Sequence, residues 1–351
     1  MSGAGERAAR LLAVLYRGPV AQSEHYGHVA VVADGPPPLR LGLGDPEKPV
    51  VLRSCAKPLQ ALSVVVSGAA RQFGLEPRHL AVCCASHSGS AAHQAVVREI
   101  LERMGLGEDA LQCGAHWPGD AEEFDRLKRA GLRPTAIHNN CSGKHAGMLA
   151  TSLALGAPLE GYLAPEHPTQ ALIREHLARM GGVGAVTLRP LVDGCGAPTY
   201  AVPLRAVATA FGRLAQPEDL PAELQEAARS TGAAMTAYPE LVSSVGSFTA
   251  ELMRAWPGRI LAKGGAEGLF AVGLSSGVGV AIKVSDGAER PSPVLVLAVL
   301  GKGGAEAPPA LAEFARAEER NCRGELVGHL AADPALEGLL PAVLRQLEAN
   351  S

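Results

Sequence analysis

Apolar positions in this chain fall into continuous runs and helically spaced series, and each kind occupies its own part of the sequence. Residues 28–33 (His-Val-Ala-Val-Val-Ala) form a continuous apolar run before Asp34-Gly35-Pro36, which predicts a strand ended by a turn. Residues 269–275 and 278–284 are runs of the same kind on either side of Ser275-Ser276-Gly277, which predicts a hairpin. Between these ends, apolar residues recur at helical spacing over 54–71 (stopping near Gly74), 91–104, 121–130, 144–155, 166–180, 203–215 and 222–235. Residues 293–300 and 336–348 also read as helical. Residues 80–85 (Leu-Ala-Val-Cys-Cys-Ala) are a short buried run leading, as a strand leads into a helix, to the turn Ser-His-Ser-Gly-Ser. Helices in the middle and strands toward both ends predict an α/β fold, in which the terminal segments share one antiparallel sheet and a helical region packs on it. The expected organisation is a single domain over 1–351 with two lobes: a sheet lobe from about 1–52 and 255–351, and a helical lobe from about 53–254. The Pro/Gly-rich stretches near 157–168 and 183–198 mark candidate lobe edges.

Composition narrows the function. With 351 residues there is enough chain for a substantial core, and 47% hydrophobic against 19% charged residues is ordinary for a globular protein. A net charge of -3 and 4% aromatic residues supply neither the basic field nor the stacking platforms that nucleic acid requires, so no nucleic-acid partner is expected. The first residues place Arg before a short apolar run, as a secretory leader would. However, Glu6 sits in the charged part, no clean Ala-x-Ala site follows, and no stretch reaches bilayer length. A soluble, cytoplasmic protein with no membrane association is the expectation. Seven cysteines, an odd number with no tight framework, fit reduced thiols better than a disulfide scaffold. Arg accounts for 25 of the 32 basic residues and Lys for only seven. Arg stays charged whereas a lysine amine can be tuned to neutrality, so the few lysines are candidates for chemistry. Three of them, Lys57, Lys144 and Lys263, lie in turn-like segments rich in Gly, Ser or Cys.

Four segments carry candidate chemistry. Ser54-Cys55-Ala56-Lys57-Pro58 is an S-x-x-K. On a helix its Ser and Lys share a face, and Pro58 suits a first turn. The helix dipole and burial would lower the pKa of Lys57, so that a neutral amine takes the serine proton. Only Lys57 among the seven lysines has Ser three residues before it. Alone, the motif also describes a helix cap and a solvated lysine. Ser86, in Ala85-Ser86-His87-Ser88-Gly89, could relay a proton to a leaving group, although the same cluster would cap the helix beginning near Ala91. Lys263-Gly264-Gly265 lets the backbone approach a ligand closely, but could equally be a loop with an exposed lysine. S-x-x-K, a second Ser motif and a late K-x-G, in that order, form the pattern of serine acyl-transferases of the β-lactamase kind. Finally, His138-Asn139-Asn140-Cys141-Ser142-Gly143-Lys144-His145, with Asp193-Gly194-Cys195-Gly196 downstream, offers soft metal ligands without any standard zinc spacing, or else a polar helix cap. Asn139 and Asn140 could also hydrogen-bond an amide.

The segments RSCAKPLQ, CASHSG, HNNCSGKHAGML, DGCGAPTY and AKGGAEG together resemble the successive signatures of the asparaginase II family, from about Ser23-Glu24-His25 to Lys283-Val284-Ser285-Asp286-Gly287. The resemblance implies a fold like that of serine β-lactamases and glutaminases, unrelated to asparaginases with threonine nucleophiles. It implies hydrolysis of L-asparagine to L-aspartate and ammonia, with Ser54, Lys57, Ser86 and Lys263 acting as two Ser–Lys pairs. It also implies a zinc ion held by Cys141, Lys144 and Cys195 with Asp193 close by, organising the pocket more than activating water, and a homodimer. Arg53, His87, Asn140 and Gly264 are the expected substrate contacts. Arg53 or Lys263 would take the carboxylate, and Asn140 with Cys141 the amino end. The chain departs from the family where a Gly-Arg-Phe-like stretch is expected and Val242-Ser243-Ser244-Val245-Gly246-Ser247-Phe248 stands instead. A serine glutaminase, a β-lactam-type acylase and a non-catalytic amino-acid-binding protein are the alternatives.

Overall fold

The computed structural model describes residues 8–33, 39–301 and 308–337, together with 339 and 341. In chain order the strands are β1 (Arg10–Arg17), β2 (Val20–Ala33), β3 (Leu39–Leu43), β4 (Pro49–Val51), β5 (Pro190–Val192), β6 (Pro198–Pro203), β7 (Ile260–Gly265), β8 (Leu269–Leu274), β9 (Val278–Val284), β10 (Glu318–Arg320) and β11 (Leu326–Ala332). The helices are α1 (Lys57–Val66), α2 (Ala69–Gln72), α3 (Pro77–Cys83), α4 (Ala91–Arg103), α5 (Ala121–Arg129), α6 (Ser142–Ala154), α7 (Pro168–Gly181), α8 (Leu204–Ala215), α9 (Ala222–Ala237), α10 (Pro239–Val242), α11 (Phe248–Ala255), α12 (Ser292–Val299) and α13 (Ala312–Arg316).

The main sheet runs β10-β11-β1-β2-β9-β8-β7, with β3 also on β2, and every pairing is antiparallel. N- and C-terminal segments therefore share one sheet, as expected of this α/β fold. The apolar run of β2 pairs with β3 along one edge and β9 along the other, and successive residues Val29, Ala30, Val31 and Val32, which point to alternate faces, are all buried. The predicted hairpin is β8–β9, and its glycines have a packing reason. A Cβ on Gly279 would lie 1.7 Å from the Ala208 carbonyl oxygen, and one on Gly273 2.0 Å from that of Phe211, so only glycine lets α8 lie directly on the sheet. A second sheet, β4-β6-β5, joins the segment before residue 53 to the Pro/Gly-rich stretch 183–198.

Two sequence expectations change. The helix expected over 54–71 is a 3-10 turn (Arg53–Ala56), then α1, then α2, with the break at Gly68, which takes φ 80. The strand-like run 80–85 is instead the end of α3, started by Pro77 and by the reciprocal Glu76–His79 cap. Burial on all sides removes the polar face that would have revealed its helical period. The Asp34-Gly35-Pro36 turn and most of 336–348 lie outside the described residues. No helix among the described residues is long and apolar enough to cross a membrane.

Candidate active site

The site begins with a strained turn. Leu52 N–H bonds the Tyr200 carbonyl and ties the chain to β6. Arg53 follows with φ 45, a left-handed backbone rare for a branchless cationic residue, held by its Nε donating to Asp193 Oδ1 at 2.7 Å. The 3-10 turn then presents Ser54 and hands over to α1 at Lys57, whose backbone N–H bonds the Ser54 carbonyl. Beneath, the Cys55 thiol donates to the Lys263 carbonyl at 3.3 Å, locking the turn to β7. The approach is close, since a Cβ on Gly265 would lie 3.0 Å from Cys55 Sγ.

Ser86 is the point of convergence. Its N–H bonds the Val242 carbonyl, fixing it at the end of α3. The Lys57 amine donates to Ser86 Oγ at 2.9 Å and to the Asn140 carbonyl at 3.1 Å. The Lys263 amine donates to the same Oγ at 2.8 Å and to the Gly264 carbonyl at 2.7 Å. Both lysines are buried, at 0% and 2% exposure. Burial lowers Lys263 to about 7, and the nearby Lys57 adds to the effect. Burial likewise lowers Lys57, with Lys144 reinforcing and Cys141 opposing. Neither amine has a carboxylate partner among the described residues, so burial favours the neutral form of each. The Ser86–Lys263 pair is formed. The Ser54–Lys57 contact is not: the 3-10 turn directs the Lys57 side chain to Ser86, and the Ser54 hydroxyl makes no hydrogen bond among the described residues.

Ser54, Ser86, Asn140, Lys263, Gly264 and Glu289 line one pocket of about 320 Å³, walled by Phe248 and Phe270. A larger surface depression of about 640 Å³, beside Arg71, Glu223 and Glu226, holds no buried lysine and no convergent serine. The substrate contacts expected from sequence divide. Asn140 and Gly264 face the pocket. His87 does not line it: its Nδ1 accepts the Gly89 N–H, its Nε2–H donates to Ser142 Oγ at 2.9 Å, and its ring stacks on His93 at 4.9 Å. Burial pushes this imidazole well below its usual range, so it is a neutral structural tie. Arg53 is engaged by Asp193 and lines a neighbouring groove. Asn139 donates to the Cys113 and Gly114 carbonyls and is likewise structural. Glu289, Ser243, Thr249 and Ser292 were not anticipated. They come from segments without motif spacing, although Ser243 and Phe248 belong to the departing 242–248 stretch, which does line the pocket.

Behind Lys57 lies the sulfur cluster. The ligand atoms of Cys141, Asp193 and Cys195 lie within 4.8 Å of one another. Lys144 Nζ is 3.0 Å from Cys195 Sγ and 3.7 Å from Asp193 Oδ2. Two thiols, a carboxylate and an amine at such spacing suit a tetrahedral soft-metal centre. The Cys141 thiol is held well below its usual range by its hydrogen bond with Cys195, helped by Lys144 and Lys57, so one sulfur is already disposed to bind as thiolate. Lys144 is pulled the other way. Burial disfavours its charge, but Cys141, Cys195 and Asp193 together outweigh burial and keep it protonated, so a metal binding there would displace that proton. Asp193 bonds Arg53 as well, and the Asn140 carbonyl bonds Lys57, so the cluster and the serine site share their supports.

A search of curated proteins finds no match to this chain. The family model described as L-asparaginase II does match, over residues 13–332, which span Ser54, Lys57, Ser86, Lys263 and the whole sulfur cluster. The chain belongs to the L-asparaginase II family, a family of asparaginase-type hydrolases.

Proposed function

We propose that the protein is an L-asparagine amidohydrolase acting through an acyl-enzyme on Ser54, in a fold of the serine β-lactamase kind. One observation carries this reading. A pocket serine hydroxyl, Ser86, is gripped by two buried amines without counterions, and a second serine with an unbonded hydroxyl faces the same pocket. Such an array is costly to bury and has an obvious use as a proton-transfer chain. Ser54 Oγ gives its proton toward the Lys57–Ser86–Lys263 chain and attacks the side-chain amide carbon of asparagine. The carbonyl electrons move onto oxygen, held by backbone N–H groups including that of Ser54. Collapse breaks the C–N bond, the chain returns the proton through Ser86 to the departing nitrogen, and ammonia leaves. Water then attacks the ester and the proton movements repeat in reverse order.

Cys141, Cys195, Asp193 and, as a neutral amine, Lys144 would hold a zinc ion, which supplies a fixed positive charge that orders the pocket wall. What the protein's own residues do there is hold Arg53 in place through Asp193. A second assignment is favoured by the same geometry: Ser86, bonded by both lysines, as the nucleophile, with Ser54 as the relay. Ammonia release by purified protein from asparagine and glutamine, with Ser54→Ala and Ser86→Ala alongside, decides between these. Mass spectrometry locates the trapped acyl group. Ammonia from asparagine with loss of more than about 1,000-fold in Ser54→Ala supports the proposal. Retained activity in that variant removes Ser54 as nucleophile, preferred glutamine turnover makes the protein a glutaminase, and tight asparagine binding without turnover makes it a binding protein.

A further inference from the structure

Asparagine differs from a simple amide by carrying an α-ammonium and an α-carboxylate, and the pocket contains one feature suited to the first. Glu289 is its one acidic lining residue among the described residues, and the Glu289 carboxylate makes no hydrogen bond or ion pair with any of them. Asn140, expected from sequence at the amino end, has its Oδ1 3.3 Å from Cys141 Sγ, on the side of the sulfur cluster.

The segment bearing Glu289 is clamped on both sides while that side chain is left free. His25, buried on β2, is the clamp: its Nδ1 lies 3.1 Å from Asp286 Oδ2, and Arg290 Nε donates to its Nε2 at 3.0 Å. With Nε2 accepting, Nδ1 carries the proton and donates to Asp286, so one imidazole ties down the residues three before and one after Glu289. Asp286 Oδ1 also accepts the Ala288 N–H, and the Glu289 carbonyl accepts the Ser292 N–H that starts α12. Gly268 packs so closely that a Cβ there would meet the Ala288 carbonyl at 2.9 Å. The backbone at 289 is thus fixed relative to β2, β8 and β9, and the exposed, unpartnered Glu289 is part of the pocket lining. A loop built this way is pre-organised for a cation.

We propose that Glu289 is a specificity-determining residue that receives the α-ammonium of the substrate, making the site selective for α-amino acids over amides and acids that lack the amino group. This inference rests on the proposed asparaginase function for the identity of the substrate, but it is tested separately, by binding. Wild type and Glu289→Gln are titrated by calorimetry with L-aspartate and with succinate, the same product without its amino group, and ammonia release from asparagine is measured on the same preparations. A hydrogen bond between charged groups at a partly open rim is worth about tenfold to a hundredfold in affinity. Wild type is expected to prefer aspartate over succinate by about that factor. Glu289→Gln is expected to lose the preference by weakening aspartate alone, with Glu289→Asp recovering part of it, and KM for asparagine is expected to rise far more than kcat falls. Equal affinity of wild type for the two acids, or equal weakening of both in Glu289→Gln, overturns the inference. Absence of ammonia release from wild type, with the aspartate preference intact, overturns the proposed function and leaves this assignment standing.

Discussion

Lys263 sets stability against function, and replacing it with Met measures the conflict. An ordinary lysine titrates near 10.5, whereas in the fold this one is lowered to about 7. The sign follows directly. Above about 10.5 the amine is neutral folded or unfolded and costs nothing electrostatically. Between about 7 and 10.5 the unfolded chain binds the proton and the folded chain does not, so stability falls as pH falls. Below about 7 the penalty is complete. The difference between the two values corresponds to on the order of 4–5 kcal/mol. Methionine of similar length removes that penalty, but leaves the Gly264 carbonyl without its amine donor, a loss of about 1–3 kcal/mol. Lys263→Met should therefore be more stable than wild type by roughly 1–4 kcal/mol at pH 6–7, equal to it near pH 9, and less stable above about pH 10. It should have no amidase activity at any pH. Differential scanning calorimetry of both proteins at pH 6, 8 and 10 measures this. A variant destabilised by the same amount at all three pH values would refute the claim that Lys263 is held neutral against its ordinary tendency.

Three further outcomes follow from the geometry. Catalytic efficiency should rise with pH through an apparent value near 7, belonging to the Lys57–Ser86–Lys263 chain as a whole, because the working form needs a neutral amine; a profile flat from pH 6 to 9 would contradict this. Gly143→Ala would place a Cβ 2.2 Å from the Val82 carbonyl oxygen, backbone against backbone where α6 crosses α3. It should cost about 3 kcal/mol or more by denaturant titration, and unchanged stability would show that the two helices are not in contact. Cys195→Ser should lower zinc retained after dialysis against a mild chelator by tenfold or more, measured by atomic emission, since a hydroxyl is a poor soft-metal ligand; wild-type retention would remove the sulfur cluster as the metal site.

Rarity made the lysines legible. In a chain that carries its general positive charge on Arg, the three lysines in turn-like segments, Lys57, Lys144 and Lys263, are 0%, 3% and 2% exposed. Apolar runs on either side of a turn located β8 and β9, and the 3.6 period located α4 and α5–α9. Sequence spacing failed where backbone geometry intervenes. Ser54 and Lys57 are three apart, which on an α-helix means one face, but the left-handed Arg53 starts a 3-10 turn and Lys57 swings to Ser86. α3 was hidden because the five residues His79–Cys83 are all buried, too short a run to show a helical period. Glu289 was hidden because its position follows from His25, more than 260 residues earlier in the chain, and no local motif encodes such a clamp.

The two halves of the site stand or fall together, and the reason is mechanical. Arg53 holds a backbone conformation that costs on the order of 1–3 kcal/mol for a residue with a Cβ, and its side-chain bond to Asp193 is what opposes relaxation. Asp193 is only 8% exposed at its side chain and also faces Lys144 and Cys195, so its orientation depends on the charge state of the sulfur cluster. On the other side, the Asn140 carbonyl that receives the Lys57 amine belongs to the residue next to Cys141. A change in that cluster therefore reaches both the turn that presents Ser54 and the amine that bonds Ser86, without any side chain of the cluster lining the pocket. Substitutions in the cluster are therefore expected to act on the proposed site through the positions of Arg53 and Asn140, not by direct contact with substrate.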